Sequence, residues 1–234
     1  MPDTAEIASV SIVLIGQFNP TIFSPAWIEK VGLVSKELAD TAEVSVIHPD
    51  ISAFVVGPYN FDVRRGRFSV EVKTEPIIEV LDCVLVIFAE YLPHITVTQF
   101  GINYTTHFAV GSADRRIALG RRMAPLEPWG DFGQDIDGLS GPLTSGMVEL
   151  TMVRTYDPPG TGERRVRVEP SAKPDLENAG VFITVNDHRM LAGTAEDLGS
   201  EKALELLKGV FDESLDTARK IVEDVRLFAE GLPE

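Results

Sequence analysis

The chain has 234 residues, 44% of them hydrophobic and 24% charged, which is the balance of a globular protein with a sizeable core. Its formal net charge of −15 disfavours nonspecific binding to nucleic acid or to anionic membranes, since both need positive charge facing the phosphates. The single cysteine, Cys83, excludes an internal disulfide and a cysteine-rich zinc site. No apolar run reaches the roughly 20 residues that cross a bilayer, and the acidic N-terminus lacks the pattern of a signal peptide, so we expect a cytoplasmic protein.

The first part of the chain contains strand signals and two helix signals. Residues 7–15 are apolar and rich in β-branched side chains, as in a largely buried strand. Ser24 is placed to cap a helix that has Pro25 at its first position and extends to Leu38. Further strands are predicted at 44–48, 52–56 and 67–73, with a loop between the last two. A nearly all-apolar helix from residue 76 to Tyr91 is expected to be buried against a sheet or a partner.

The middle of the chain contains a strand with an unusual polar side. This strand, predicted from Ile95 to Ala109, includes the stretch QFGINYTTHF. The apolar residues at its start, Ile95 and Val97, have odd numbers, whereas those from Phe100 onwards have even numbers. The apolar side of the strand therefore changes between them. The change predicts a β-bulge or the start of a new strand pairing near Gln99, because a shift of one residue moves side chains to the opposite face. Residues 111–146 are rich in glycine and lack apolar periodicity, so we predict a long loop there.

Three strands and a long helix complete the chain. The strands are predicted at 147–156, 164–169 and 180–186, and residues 186–189 (NDHR) are predicted to form a turn. The helix is predicted from about residue 200 to residue 230. It carries a stripe with alternating spacings of three and four residues, interrupted only by Ser214: Leu204, Leu207, Phe211, Ser214, Ala218, Ile221, Val225, Phe228 and Leu232. The stripe favours packing along a sheet of the same chain, and the alternative is a coiled-coil seam between two copies.

These elements predict an α+β fold with a mainly antiparallel, curved sheet, two shorter helices and a long C-terminal amphipathic helix, because the strands come in runs. The order of elements is similar before and after residue 92, which suggests duplicated halves. We divide the chain into an N-terminal αβ half at 1–92 and a C-terminal half of antiparallel strands plus the long helix at 93–234. The two halves can form one compact domain.

No residue pattern in the chain indicates catalysis. A phosphate-binding loop is absent from the sequence, and the four histidines lack the spacing of metal ligands. Cys83 lies in an apolar helix, where we expect a buried and inert thiol. We therefore assign no catalytic residue, no metal and no cofactor, although enzymatic activity is left open.

The candidate site is the polar side of the QFGINYTTHF strand. Its hydrogen-bonding side chains are predicted to contact a ligand or partner, with Gly101 leaving a gap in the row: Gln99, Asn103, Tyr104, Thr105 and His107. The alternative is that this row is the solvated face of a central strand.

The same strand resembles a motif of a known family. Gln99, Phe100, Gly101, Ile102, Asn103 and Tyr104 match a strand motif of a sporadically distributed family of uncharacterised bacterial proteins of similar length. The family has arginine at the positions of Gln99 and Asn103 and asparagine at that of Thr106. The order of elements is also similar: a βα section, a middle strand with the motif and a closing amphipathic helix. The resemblance implies a bacterial protein, encoded at a mobile or defence-associated locus, and transfers no catalytic residue.

Three functional hypotheses follow. The first is a non-catalytic binding or assembly protein that binds a protein partner or associates with itself through the C-terminal helix. The second is a small-molecule-binding protein or enzyme with a cavity between helix and sheet, as in helix-grip folds. The third is an RNA-binding module that uses the arginines near 64–67, 115–122 and 164–167, but the aromatic pair expected of an RNA-binding sheet is not evident. We favour the first.

Overall fold

A computed structural model describes residues 7–73, 75–137, 146–192 and 199–232. Nine strands form one sheet in the order β2-β3-β4-β5-β1-β6-β9-β8-β7, with every neighbouring pair antiparallel. The strands are β1 (Ile7–Gly16), β2 (Glu43–His48), β3 (Ile51–Val56), β4 (Tyr59–Arg64), β5 (Arg67–Val72), β6 (Val97–Ala109), β7 (Leu150–Thr155), β8 (Gly162–Pro170) and β9 (Gly180–Met190). The helices are α1 (Pro25–Lys30), α2 (Lys36–Asp40), α3 (Glu79–Leu85), α4 (Ala113–Met123), α5 (Gly130–Asp137) and α6 (Ser200–Glu230), and α3 continues as a π-helix over Val86–Tyr91. The predicted α+β class and antiparallel sheet are confirmed.

The two halves of the chain have matching layouts and meet in the middle of the sheet. Each half starts with a long strand, β1 or β6, and then leaves the sheet through short helices. It returns as an antiparallel meander whose last strand pairs with that first strand, and it ends in α3 or α6. The pairing of β1 with β6 joins the halves into one continuous sheet. The meander has four strands in the first half and three in the second.

One face of the sheet carries the core, and α3, α4 and α6 contact strands there. Along β1 the side chains of Val10, Ile12 and Leu14 are fully buried, and the alternate residues are only partly buried, as the period of two in a strand requires. The alternation recurs on the other inner strands and gives a single apolar cluster. We call this side of the sheet the covered face and the opposite side the open face.

Helix α6 lies along β6 and runs in the same direction. Near its start, the hydroxyl of Ser200 donates hydrogen bonds to the backbone oxygens of Phe88 (2.8 Å) and Pro93 (3.0 Å), just before β6 begins. Near its end, the guanidinium of Arg226 lies 5.5 Å from the ring centre of Phe108, close to the end of β6. The predicted packing of the long helix along the chain's own sheet is therefore what the structure shows.

The buried stripe of α6 drifts away from the predicted one toward the C-terminus. The predicted positions as far as Ala218 are buried, but Val222 and Ala229 then replace Ile221 and Phe228 as buried residues. A regular α-helix makes one turn every 3.6 residues, so a stripe that repeats every 3.5 residues rotates around the helix by about 20° in each heptad. Phe228 and Leu227 are consequently 44% and 56% exposed.

Several local predictions are wrong. The long loop predicted over residues 111–146 is wrong for residues 111–137, because α4 and α5 occupy most of them, and residues 138–145 lie outside the described ranges. The arginines of α4 obscured its apolar side, and Ser112 caps it by accepting a hydrogen bond from the backbone N–H of Arg115. The loop predicted before residue 67 contains β4, which follows β3 through a tight turn at Gly57, where φ is +55°. The helix that begins after Ser24 ends at Lys30, and a left-handed Gly32 separates it from α2.

The NDHR segment is also different from its prediction. Residues 186–189 form no turn but continue β9 to Met190. Asp187 and His188 therefore project to opposite faces of the sheet, and their side chains do not meet. None of the described helices is both long enough and apolar enough to span a membrane.

Candidate functional site

The centre of the open face is a grid of uncharged polar side chains on β1, β6 and β9. Register places Ser11, Asn103 and Asn186 side by side in one row across the three strands. The neighbouring row consists of Ser9, Thr105 and Thr184. These residues are half-buried although none of the described helices covers them, because neighbouring strands shield part of each short side chain.

Hydrogen bonds fix the orientation of these side chains. Asn103 Nδ2 donates to Ser11 Oγ at 3.2 Å, and Asn186 Nδ2 donates to Asn103 Oδ1. In the neighbouring row, the hydroxyls of Thr105 and Thr184 are 3.3 Å apart. Within the part of the chain that the structure describes, these bonds use one amide donor of each asparagine, so the second donor is available to a bound molecule. The surface is therefore ordered before anything binds to it.

Gly101 makes a depression within this grid. It stands between Val13 of β1 and His188 of β9 and adds no side chain to the open face. A methyl group at this position would lie 3.0 Å from Asn186 Nδ2, which is tighter than ordinary van der Waals contact. The depression is bounded on its other sides by the grid residues and by Gln99. It is shallow and open to solvent, unlike an enclosed small-molecule pocket.

Charged residues flank the grid in equal numbers of each sign. From β3 to β8 the open face carries four arginines and four carboxylates, namely Arg64, Arg67, Arg165 and Arg167 with Asp62, Glu71, Glu163 and Glu169. Ion pairs join Arg64 to Asp62 (3.1 Å) and Arg165 to Glu163 (2.6 Å). This seven-strand part of the open face is formally neutral in a chain of net charge −15, so it repels a partner of either sign only weakly.

His107 lies at one end of the open face, where the loop after β8 folds over the sheet. Its Nδ1 is 2.8 Å from Ser171 Oγ, and its ring packs on Phe182 with ring centres 4.6 Å apart. Partial burial and the nearby positive charge of Lys173 lower the pKa of His107 below its usual 6.5. The imidazole is therefore neutral at pH 7 and can both donate and accept a hydrogen bond.

Four of the five predicted site residues share the open face, and one does not. Gln99, Asn103, Thr105 and His107 have the same parity on β6, whereas Tyr104 is 6% exposed and lies on the covered face. Tyr104 therefore cannot contact a molecule bound beside Asn103. The predicted bulge is confirmed: Ile15 pairs with Gln99 but Gly16 pairs with Val97, so Thr98 is the extra residue.

No family model and no curated protein sequence matches the chain significantly. Its function must therefore be inferred from the residues themselves.

A second polar cluster is buried on the covered face at β8 and β9. Asp187, only 1% exposed, accepts hydrogen bonds from Arg164 Nη2 (2.8 Å) and Arg189 Nε (2.7 Å). Burial alone would raise the pKa of Asp187, but the hydrogen bonds from Arg189 and Arg164 outweigh it and the pKa is lowered. The guanidinium of Arg189 stacks 3.8 Å from the ring centre of Tyr156, whose pKa burial and Asp187 raise to about 12. The hydrogen bonds to Asp187 come from side chains of the chain itself, which is the arrangement of a structural network.

The residues with chemical reactivity are placed unfavourably for catalysis. Cys83 is fully buried, and burial raises the pKa of its thiol, so the thiolate needed for nucleophilic attack is disfavoured. Among the described residues, no three of the side-chain types His, Cys, Asp and Glu converge on a common point that could hold a metal.

The sequence prediction includes only two of the six grid residues, Asn103 and Thr105. Ser9 and Ser11 alternate with apolar residues in β1, but the apolar, β-branched composition of this strand predicts that it is largely buried. Thr184, Asn186 and His188 alternate in the same way, and extending the third C-terminal strand through residue 190 would have identified them. Which strands are neighbours could not be read from either pattern.

Proposed function

We propose that this chain is a non-catalytic binding protein that docks a protein partner on the open face of its sheet. The observation that carries the proposal is the pre-ordered, uncharged row of Ser11, Asn103 and Asn186 at the centre of a face that no described helix covers. Ordered amides and hydroxyls pair with the backbone and polar side chains of a partner without first being rearranged, which lowers the entropic cost of binding.

The size and shape of the open face suit a macromolecule. In sheet order, the stretch that begins with β3 and ends with β8 contains seven strands. They span roughly 29 Å at the usual spacing of about 4.8 Å, and the strands are about 20 Å long, which gives about 600 Å² of projected surface. A standard protein interface takes about 800 Å² from each partner. Small-molecule sites instead enclose most of their ligand, and the depression at Gly101 is too open for that.

The alternative of a small-molecule cavity between helix and sheet has less support. Phe100, Phe108 and Phe211 are all at most 1% exposed and belong to the apolar cluster between β6 and α6. Side chains therefore fill the space between β6 and α6. The cavity between α4 and strands β8 and β9 measures about 140 Å³, which is smaller than the roughly 300–1,000 Å³ of a typical small-molecule site.

Site-specific photo-crosslinking tests the proposal. A photoreactive phenylalanine analogue is placed at Asn103 in cells that express the protein naturally, and at the exposed Lys208 of α6 as the control. We expect one protein to be captured from Asn103 and not from Lys208. Capture of the same protein from Lys208 alone would contradict the docking face.

The captured protein is then purified and its affinity measured by calorimetry. Asn103→Asp removes the amide donors and adds a negative charge at the centre of the face, and we expect at least about a tenfold loss of affinity, or 1.4 kcal/mol. Asn60→Asp makes the same change at the border of the face, where Asn60 donates to Glu71 at 3.1 Å, and should cost less. Equal affinities for all three proteins would refute the central role of the grid.

A further inference from the structure

The sheet ends at β7, which is an edge strand. No strand within the described ranges pairs with its outer edge. Residues 151–155 are all exposed, and Met152 and Val153 are 67% and 50% exposed on opposite faces. An edge strand that combines open backbone groups with exposed apolar side chains is a template for pairing with another chain.

The direction of the free backbone groups follows from one hydrogen bond. The N–H of Tyr156 donates to the oxygen of Gly162, so Tyr156 faces β8. Because consecutive residues of an antiparallel strand alternate in the direction of their backbone groups, Met152 and Arg154 also face β8. The N–H and C=O groups of Thr151, Val153 and Thr155 therefore point outward.

The opposite edge of the sheet is less suited to pairing. Strand β2 also exposes apolar side chains, with Val44 and Ile47 both 50% exposed. However, its register with β3 shifts between Val44 and Val46, which is the signature of a bulge. Bulges bend an edge strand and interrupt the regular row of backbone groups that a new strand would need.

Charge also favours β7 as a contact between copies of an acidic chain. Arg154 is the only charged residue of β7, and the adjacent β8 carries three arginines and two glutamates. Helix α6, which packs over β6, carries eight acidic and five basic residues. Two copies that meet at β7 therefore bring together the least acidic border of each sheet, so electrostatic repulsion opposes them little.

We infer that β7 pairs antiparallel with β7 of a second copy, about a two-fold axis that passes through Val153. In this register Val153 faces Val153 of the second copy, and Thr151 of each copy faces Thr155 of the other. Each of these three facing pairs makes two backbone hydrogen bonds, so the contact has six. On the open face Val153 meets its own counterpart and Thr151 meets Thr155, which are favourable β-branched pairs. On the covered face Met152 meets Arg154, so the two arginines do not face each other.

The second copy is a better occupant than an unrelated strand because β7 is self-complementary in this register. Because each copy contributes its nine strands, the sheet continues across the dimer without a break. The open faces of the two copies then lie side by side. The inference does not depend on the proposed function, since pairing at β7 leaves the grid around Asn103 uncovered.

Sedimentation equilibrium over about two decades of protein concentration tests the inference, because dimer formation depends on concentration. We expect the wild-type mass to rise from one to two chains. Val153→Lys places two positive charges opposite each other at the axis and should keep the chain monomeric. Ile47→Lys makes the same kind of change at an equally exposed site on β2 and should dimerise like the wild type.

Val153→Pro is a second variant, because it removes one outward N–H and keeps the bonds to β8. It should also remain monomeric, and unchanged melting of the monomer in both variants shows that the fold is intact. Hydrogen exchange at the amide of Val153 should slow as the wild type dimerises. A wild type that stays monomeric throughout, or a Val153→Lys variant that dimerises like the wild type, would overturn the inference. Either result would leave crosslinking from Asn103 unaffected.

Discussion

Asp187→Asn is expected to destabilise the protein far more than the same change at an exposed ion pair. Among the described residues, the Asp187 carboxylate is the acid that pairs with both Arg164 and Arg189, whose side chains are 11% and 21% exposed. Asparagine has nearly the same shape but no charge. Its amide NH₂ group also turns a donor toward a guanidinium, where the carboxylate offered an acceptor.

The magnitude follows from the burial of the three side chains. Removing one partner of a buried ion pair typically costs 3–5 kcal/mol, roughly, because the remaining charge stays desolvated. Both arginines keep some contact with water, so we expect the low end, about 3 kcal/mol. For a chain of this size that corresponds to a decrease in Tm of about 6–12 °C.

Urea denaturation measures the loss, with Asp62→Asn as the matched control. Asp62 also contacts two arginines, at 3.1 and 3.6 Å, but its side chain is 34% exposed and theirs are 57% and 44% exposed. Exposed pairs contribute about 0–1 kcal/mol, so the control should change little. If Asp187→Asn costs no more than Asp62→Asn, the buried network is not the stabilising element that its geometry indicates.

The pH dependence provides an independent check. The pKa of Asp187 is lower in the folded chain than its ordinary 3.8, so the folded state favours the charged form. This contribution to stability is present above pH 3.8 and is lost as the pH falls through the folded-state pKa. The difference between wild type and Asp187→Asn should therefore shrink in acid.

Three further predictions concern single sites. Gly16→Ala should cost about 3 kcal/mol or more, because its methyl would lie 2.0 Å from the backbone oxygen of Thr96, which cannot move without the chain. Gly101→Ala should cost less than about 1 kcal/mol, because its methyl would lie 3.0 Å from the end of the Asn186 side chain, which needs to shift by only a few tenths of an ångström; thermal denaturation distinguishes the two variants. NMR titration should give a pKa of His107 below 6.5. Because protonation is less favourable in the folded chain than in the unfolded chain, His107 should make the protein less stable as the pH falls below 6.5. His107→Gln should abolish this part of the pH dependence. Cys83 should react with a thiol reagent only at the rate of unfolding, and fast labelling under native conditions would contradict its burial.

The sequence determined the elements with strong periodicity. The buried strand β1, the motif strand β6 with its bulge, the α3 region and the long helix α6 all follow from apolar spacing, because a period of 2 or 3.6 is local and each residue contributes to it. Four members of the candidate site could be predicted for the same reason, since Gln99, Asn103, Thr105 and His107 alternate with apolar residues on one strand.

The elements that were missed have weak or masked periodicity. Helix α4 carries arginines at four of its eleven positions, so its apolar side is narrow, and β4 is separated from β3 by only a two-residue turn. Tyr104 has a hydroxyl that suits a binding site, but its position in the alternation of β6 is that of the core residues. Side-chain type alone cannot decide on which face of a strand a residue lies.

Only the tertiary structure decided which strands are neighbours and which polar residues meet. Ser11, Asn103 and Asn186 are separated by more than eighty residues at each step, yet they form one row because β1, β6 and β9 are adjacent in the sheet. The pairing of Asp187 with Arg164 depends on the register between β8 and β9 in the same way. Periodicity is a local property of the chain, whereas strand order and register depend on the packing of the whole sheet against its helices, and the candidate binding face exists only at that level.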